Sequence, residues 1–301
     1  MPSTAKNVPN TSAKQLDPFL RWAGGKRRLL SYLLHALPPK IEELEYHEPF
    51  VGAASLFLAV QPKKAVLSDA NAHLIACYEW IRKSPDLVAE YLQRHLGKNS
   101  EDYYYEIRKL YNRTESSAAQ AARFVYLNKA CFNGIFRVNM KGEFNVPYGK
   151  KEPPAIPTRD ELHAVGKLLE GTALHARPFE AALEEVGKGD FVYLDPPYPP
   201  LNGTAYFTHY TAERFGEADQ KKLATAVRDL DKRGAKFMMS NADTKLIRQI
   251  YSGHTFLEVS VTRFVSCKAK KYRAKELIIT NYMVEECPGR ELIATTAGRE
   301  T

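Results

Sequence analysis

The stretch Phe191-Val192-Tyr193-Leu194-Asp195-Pro196-Pro197-Tyr198 decides how the rest of the chain is read. Four apolar, mostly β-favouring residues stop abruptly at Asp-Pro-Pro-Tyr. A short apolar run bounded by a breaker reads as a buried strand. Two successive prolines do not continue a strand ladder, and the first keeps its predecessor out of the helical region. The carboxylate of Asp195 is therefore presented at the carboxyl end of a central strand, where open α/β sheets bind ligands. Pro196 and Pro197 stiffen the backbone beyond it, and Tyr198 sets a flat face beside the carboxylate.

That arrangement suits methyl transfer to an exocyclic amine of a base. Such an amine is a poor nucleophile because its lone pair is delocalised into the ring, and it reacts better when acceptors outside the ring plane hold its N–H groups. Asp195 and the carbonyl of Pro196 are candidate acceptors, with Tyr198 stacked on an extruded base. The plainer reading is a stiff turn after a strand. The tetrapeptide behind an apolar strand favours the chemical one.

Working upstream, Glu45-Tyr46-His47-Glu48 reads as a strand, followed by the turn Pro49-Phe50-Val51-Gly52-Ala53-Ala54 and a helix from Ser55. This is a nucleotide-binding βα turn without a full G-x-G-x-x-G. A second strand, Ala65-Val66-Leu67, runs into Ser68-Asp69. An acid about 20 residues beyond the first strand is placed to accept from ribose hydroxyls. Asp69 can equally cap a helix starting at Asn71. Earlier still, Phe19-Leu20-Arg21-Trp22-Ala23-Gly24-Gly25-Lys26 sets two glycines and a lysine before a helical pattern. Backbone N–H groups there can approach an anion, with Lys26 adding charge, or the segment is a plain turn.

From about Ala76 to Leu127 the pattern is helical, with no second βαβ unit, so an inserted lobe is expected. It ends in the polar-aromatic stretch from Cys131 to Lys151, whose Asn-Gly and Lys-Gly pairs predict loops and a hairpin. Asn133, Arg137 and Asn139 on such loops can read base edges, and aromatics there can fill a gap in a stack or form a local core. After a Pro- and Lys-rich linker the α/β alternation resumes. Helices are expected near 159–169, 179–186, 217–232 and 245–251, and strands near 173–176 and 235–239. A loop from Pro199 to Phe215, carrying Tyr206, Phe207 and Tyr210, is long enough to be a lid. The final two strands, 254–262 and 275–283, flank a Ser266–Lys275 loop with five cationic residues and no acid. That run, including Lys268, Lys270 and Lys271, reads as a phosphate clamp or as an ordinary solvated loop.

The 301 residues, 44% hydrophobic and 26% charged, allow one large domain or one with an insertion. A formal charge of +8 favours a polyanionic partner. Cys77, Cys131, Cys267 and Cys287 are scattered and expected as reduced thiols in a cytoplasmic protein. No apolar run reaches membrane-span length, and no His/Cys/carboxylate cluster has ligand spacing, so no metal is expected. Residues 1–16 and 286–301 read as disordered tails.

Taken together these stretches resemble DNA adenine-N6 methyltransferases of the Dam type, in order, from about Phe19 to Val284. The resemblance is carried by Phe19–Lys26, Glu48-Pro49-Phe50-Val51-Gly52, Gly142–Pro147, Asp195–Tyr198 and Ser240-Asn241-Ala242-Asp243-Thr244. Their order, with the cofactor motifs before the recognition insert and the catalytic motif last, is the family's alpha arrangement. The resemblance implies a Rossmann-like α/β class I methyltransferase fold with a mostly parallel seven-stranded sheet. It implies a discontinuous catalytic domain, 17–76 and 152–285, and a target-recognition domain at 77–151. It implies S-adenosylmethionine as methyl donor, held by Trp22, Ala23, Gly24, Gly25, Lys26, Glu48, Phe50, Gly52, Asp69, Phe179 and Asp195. Asp195, Pro196, Pro197 and Tyr198 match the catalytic motif. Arg21, Phe132, Asn133, Ile135, Arg137 and Pro147 fall where this family contacts double-stranded DNA, and GATC is the implied target. A monomer near the nucleoid is expected, with a cognate restriction endonuclease as one partner.

The chain departs from the family at Ala54, where glycine is usual; alanine is expected there with negative φ. Cys131-Phe132 and Lys151 also depart from the common pattern. Methyl transfer to cytosine N4, a binding-only DNA protein and a nicotinamide-dependent oxidoreductase are the rival readings. Aspartate at 195, the retained Lys26 and Tyr198, and the incomplete glycine fingerprint weigh against them in turn.

Overall fold

Near-continuous apolar runs along the central strands build a sheet with two covered faces. The computed structural model describes residues 16–150, 154–199, 215–264, 271–284 and 293–296. Its strands are β1 (Glu45–Glu48), β2 (Ala65–Asp69), β3 (Ala173–Ala176), β4 (Asp190–Leu194), β5 (Lys236–Ala242), β6 (Thr255–Phe264), β7 (Lys271–Thr280) and β8 (Ile293–Thr296). They form one eight-stranded sheet in the order β3-β2-β1-β4-β5-β7-β6-β8. The first five run parallel, and β7 enters antiparallel between β5 and β6.

The helices are α1 (Leu30–His35), α2 (Ser55–Val60), α3 (Ala72–Lys83), α4 (Pro85–Gln93), α5 (Glu101–Tyr111), α6 (Ala118–Ala130), α7 (Arg159–Leu168), α8 (Phe179–Glu184), α9 (Glu217–Arg233) and α10 (Lys245–Ile250). Side chains two apart share a strand face. Phe191, Tyr193, Met238 and Ile278 therefore join one core with the lobe helices. Val192, Leu194, Phe237, Met239, Leu277 and Ile279 join the other core with α8, α9 and α10. Near-continuous apolar strands are what a parallel sheet buried on both sides requires.

The strand order reverses between β1 and β4, because the chain runs outward through β2 and β3 before returning to β4. Crevices at such switch points bind ligands in open α/β sheets. The Glu48 turn and Asp195 both lie at this crevice, at the carboxyl ends of adjacent parallel strands.

The seven expected strands are all present, and an eighth joins them. Ile293–Thr296, expected within a disordered tail, forms β8 and covers the edge of β6 in antiparallel register. An exposed strand edge leaves unpaired N–H and C=O groups, which a short added strand satisfies. The β6–β7 pairing also runs further than expected, to Phe264↔Lys271. Lys271 consequently sits in a strand rather than in the basic loop, because antiparallel pairing extends as long as both backbones stay extended. Tyr206, Phe207 and Tyr210 of the expected lid, and the basic Lys268 and Lys270, lie outside the described residues.

The insert is helical as the pattern predicted, with Ser100 and Ser117 capping α5 and α6 through their hydroxyls. The buried cluster on this side of the sheet is continuous, running from Tyr46 and Phe191 through Leu74 and Tyr78 into Phe124, Val125 and Phe136. Among the described residues no helix is long and apolar enough to cross a membrane.

Candidate active site

Where β4 ends, Asp195 is held by two side chains from other elements. Lys26 Nζ lies 2.7 Å from Asp195 Oδ1, and Ser240 Oγ on β5 donates to the same oxygen at 2.8 Å. Lys26 itself is buried, 6% exposed. It also donates to the carbonyl of Gly24 at 2.6 Å and sits over the Tyr198 ring, 4.7 Å from the centroid. Ser240 is within 3.0 Å of the Tyr193 hydroxyl. Burial pushes the Asp195 carboxyl above its ordinary range, while Lys26 and Ser240 pull it back.

The Tyr198 hydroxyl donates to Glu276 Oε2 at 3.0 Å. Gln220 Nε2 donates to the Pro197 carbonyl at 2.9 Å, and Asn241 Nδ2 reaches Gln220 Oε1 at 3.3 Å. Glu276 and Gln220 were not picked out from sequence. The available signal was an acid within the apolar run of β7 and a glutamine on the buried face of α9. Lys26 was expected near a helix start. The glycines instead form their own turn, with Gly25 N–H donating to the Trp22 carbonyl, and α1 begins only at Leu30.

The turn expected on the cofactor side follows β1. Glu48 is buried and accepts from the Tyr46 hydroxyl at 2.7 Å, and burial pushes its carboxyl up to about 8. Gly52 has φ 45°, and a Cβ there would lie 2.8 Å from Trp22 Cδ1, so only glycine fits beneath the indole. Trp22 in turn stacks on Phe136 of the insert at 5.9 Å. Ala54 has φ 55° and ψ 32°, which corrects the expectation of negative φ. Its left-handed backbone is fixed by the tight turn that starts α2, with its N–H donating to the Val51 carbonyl at 2.7 Å.

Asp69 ends β2. Its Oδ2 accepts from Gly52 N–H at 3.1 Å and its Oδ1 from Asn71 N–H at 2.9 Å. Burial pushes this carboxyl up to about 6. The cap of α3 is Asn71, whose side chain accepts from His73 and Leu74 N–H, and the helix starts at Ala72. Asp69 therefore pins the glycine turn instead of capping the helix. Phe50 stacks on Phe179 at 5.5 Å, and Phe215 meets both rings, at 5.9 and 6.0 Å. Phe215 was read only as the end of a loop.

Two of the segments expected to contact DNA, at Arg21 and Gly134, are joined by Asn128, a buried amide that sequence reading missed. Asn128 Oδ1 accepts from Arg21 N–H at 2.8 Å, and its Nδ2 donates to the carbonyls of Arg21 and Gly134 at 2.7 and 3.3 Å. The Arg21 side chain lies flat on Gly134, where a Cβ would come within 2.5 Å of Arg21 Cβ. Arg21 is thus beside Phe132, Asn133 and Ile135, with Phe132 50% exposed. The Pro147 carbonyl accepts from Phe132 N–H at 2.9 Å. Arg137 is exposed, and its guanidinium reaches Asn145 Oδ1 at 2.7 Å and the Asn145 carbonyl at 3.3 Å. Asn139 closes the hairpin turn, accepting from Lys141 and Glu143 N–H and donating to Glu143 Oε2.

At the opposite end of the sheet, Glu45, His47 and Asp190 bring one donor atom each within 4.8 Å of one another. Sequence spacing predicted no such cluster. Asp190 is far from Glu45 and His47 in sequence, so only the β1–β4 pairing brings it there.

A switch-point crevice in a mostly parallel sheet, with Asp-Pro-Pro-Tyr at its mouth and a glycine turn pinned by an acid, defines a class I methyltransferase of the amino-group type. A family model described as D12 class N6 adenine-specific DNA methyltransferase matches residues 22–265, and the chain belongs to that family of enzymes. It is 40% identical over 288 residues to the type II methyltransferase M.MjaIII of Methanocaldococcus jannaschii, covering 89% of this chain and 100% of that protein. It is 36% identical over 283 residues to the type II methyltransferase M1.LlaDCHI of Lactococcus lactis subsp. cremoris, covering 92% and 99%. It is also 36% identical over 258 residues to the DNA adenine methylase of Escherichia coli, strain K12, covering 84% and 90%.

Proposed function

We propose that this chain transfers a methyl group from S-adenosylmethionine to N6 of an adenine extruded from duplex DNA, within GATC. The observation that carries the reading is the held carboxylate of Asp195, fixed by Lys26 and Ser240 beside the Tyr198 ring.

The donor set fits the cofactor. The Asp69 carboxylate at the strand end suits a ribose, the Phe50, Phe179 and Phe215 rings suit a flat base, and the polar turn from Trp22 to Lys26, with Glu48 and Gly52 nearby, suits an amino-acid end. When bound, S-adenosylmethionine supplies an electrophilic methyl group on a sulfonium. Asp195 and the Pro196 carbonyl accept the two N–H groups of the adenine amine, which keeps the N6 lone pair out of conjugation. Tyr198 stacks on the base, and its hydroxyl is anchored on Glu276. N6 would attack the sulfonium methyl directly, without a covalent enzyme intermediate, as the S–CH3 bond breaks, S-adenosylhomocysteine leaves and the surplus amine proton passes to solvent. Groups fixed before the reaction need no reorganisation during it.

For the target, Arg21 and Arg137 each carry a fork that suits guanine O6 and N7. A palindromic GATC offers one guanine near each end. Ile135 and Pro147 suit a thymine methyl, and Phe132 and Asn133 suit the gap left by the flipped base. Asn139 acts by shaping the hairpin that carries Arg137. Lys268, Lys270 and Lys271 supply phosphate contacts. The recognition unit spans 77–151 and the catalytic unit 17–76 with 152–285, working as a monomer in the cytoplasm at the nucleoid. The relatives named type II methyltransferases favour a cognate restriction endonuclease as partner.

The test is incubation with duplex DNA and labelled S-adenosylmethionine, followed by identification and mapping of the modified base. N6-methyladenine at GATC is expected. N4-methylcytosine, or no incorporation, overturns the reaction; N6-methyladenine mainly elsewhere overturns only the target.

A further inference from the structure

We propose that Glu45, His47 and Asp190 form a structural site for a divalent transition-metal ion, of the zinc or cobalt kind. Glu45 and His47 are two apart on β1 and so share a face. Glu45 pairs in register with Asp190, the first residue of β4. The β1–β4 pairing thus sets an imidazole and two carboxylates together at the amino ends of the two central strands, with one donor atom from each inside 4.8 Å. Asp195, just beyond the carboxyl end of β4, lies at the other end of the same strand, so the site is separate from the reacting groups.

The second observation is the state of His47. It is only 5% exposed, yet neither ring nitrogen has a hydrogen-bond partner. Nε2 points at Asp190 Oδ2 from 3.6 Å, too far for a hydrogen bond and a natural separation for two ligands of one ion. Buried polar nitrogens are almost always partnered, and an exception calls for an explanation. A metal ion between Nε2 and the carboxylates supplies one for Nε2, the nitrogen that faces Asp190.

The surroundings agree. Asp190 Oδ2 is oriented by Gly187 N–H at 2.8 Å, the kind of supporting bond metal-binding carboxylates use. Glu45 is exposed, which gives an ion access from solvent and leaves room for water ligands. The nearby cation Arg177 is committed to Glu185, at 2.8 Å through each of two nitrogens. The two carboxylates therefore offset the charge of a divalent ion. One imidazole with two carboxylates is a donor set for borderline ions, with positions to spare. The ion would tie the starts of β1 and β4 together.

The test uses the full chain, stripped with a chelator and titrated with Zn²⁺ or Co²⁺ by calorimetry, with thermal unfolding and Co²⁺ absorption in parallel. One ion per chain is expected, together with a rise in the unfolding midpoint. His47→Gln and Glu45→Gln should each weaken binding by on the order of tenfold or more. Glu45→Gln changes an exposed side chain, so its metal-free unfolding midpoint should match the parent. It remains informative if His47→Gln folds poorly. Absence of saturable binding overturns the proposal. So does binding that Glu45→Gln leaves intact, which places the ion elsewhere, such as the exposed His163–Asp86 pair.

Discussion

The Asp195 wall, proposed to be catalytic, and the Arg137 hairpin, proposed to read DNA, are held by opposite means. On the wall, Asp195, Tyr198 and Pro197 follow a buried strand and are fixed by groups from remote elements: Lys26, Ser240, Glu276 and Gln220. On the hairpin, Arg137 leans on Asn145 and Asn139 folds its own turn, all within a few residues and open to solvent. The wall is preorganised by the fold. The hairpin is organised locally and offers its polar groups outward. On the proposed reading, the preorganised carboxylate governs rate, and the exposed hairpin governs where the DNA is held.

The strongest way to break this division is Asp195→Ala. It removes the acceptor and leaves Lys26 buried without its partner. Turnover should fall by several orders of magnitude, because positioning and electrostatics are lost together. Duplex affinity, measured by fluorescence anisotropy, should change little. A variant that lost DNA binding in proportion to rate would show that the wall and the hairpin act as one unit.

Asn128→Ala tests the joint between them. The amide is 2% exposed and satisfies Arg21 N–H, the Arg21 carbonyl and the Gly134 carbonyl. Removing it strands buried backbone groups, so unfolding stability should drop by about 2–3 kcal/mol in a urea titration. Discrimination between the target and a one-base variant should loosen as Arg21 loses its seat. Unchanged stability and unchanged discrimination would make Asn128 a bystander.

The same contrast explains how far the sequence could be read. The strands and the crevice at the ends of β1 and β4 follow from apolar period and strand breakers, which are local, whereas the strand order needed the structure. Asp195, Tyr198, Gly52 and Asp69 were legible because each sits at a strand end or in its turn. Asn128, Glu276, Gln220 and Phe215 were not, because their partners lie far away in sequence and nothing local marks them. The metal-type cluster was hidden for the same reason, since Asp190 meets His47 only through strand pairing. Strand β8 escaped because its pattern is too short to stand out beside the polar tail around it. Ala54 was misjudged because a turn needing positive φ normally announces itself with glycine.

A milder probe is the pH dependence of cofactor affinity. The folded carboxyl of Asp69 titrates at about 6, raised by burial. For a raised acid the neutral form is favoured by folding. Its contribution to stability is full below the ordinary carboxylate range and is lost as pH rises through about 6. Acidification therefore does not unfold the chain through this group. It removes the charge that, on the proposed reading, strengthens the bonds from the ribose hydroxyls. Affinity for S-adenosylhomocysteine, by calorimetry, should fall to about a tenth of its pH 7 value by pH 5. Asp69→Asn should bind more weakly and lack that step. The same step in Asp69→Asn would assign it to another group.

The smallest expected effect is Ala54→Gly, which asks how much strain the cofactor-side turn stores. Ala54 has φ 55° and is 1% exposed. A left-handed alanine costs about 1–2 kcal/mol, which glycine relieves. Glycine adds about 0.5–1 kcal/mol of conformational entropy lost on folding. Losing the buried methyl costs about 0.8 kcal/mol more. The three nearly cancel, so stability should move by less than about 1 kcal/mol in either direction. The turn was otherwise built for glycine, with Gly52 pressed beneath Trp22 and its carbonyl accepting from Tyr78 at 2.8 Å. A gain well above 1 kcal/mol would mean that the methyl contributes nothing to packing and the strain is uncompensated. An equally large loss would mean that Ala54 is a core residue whose packing outweighs its backbone, and the cofactor-side turn would then belong with the wall as a part fixed by burial.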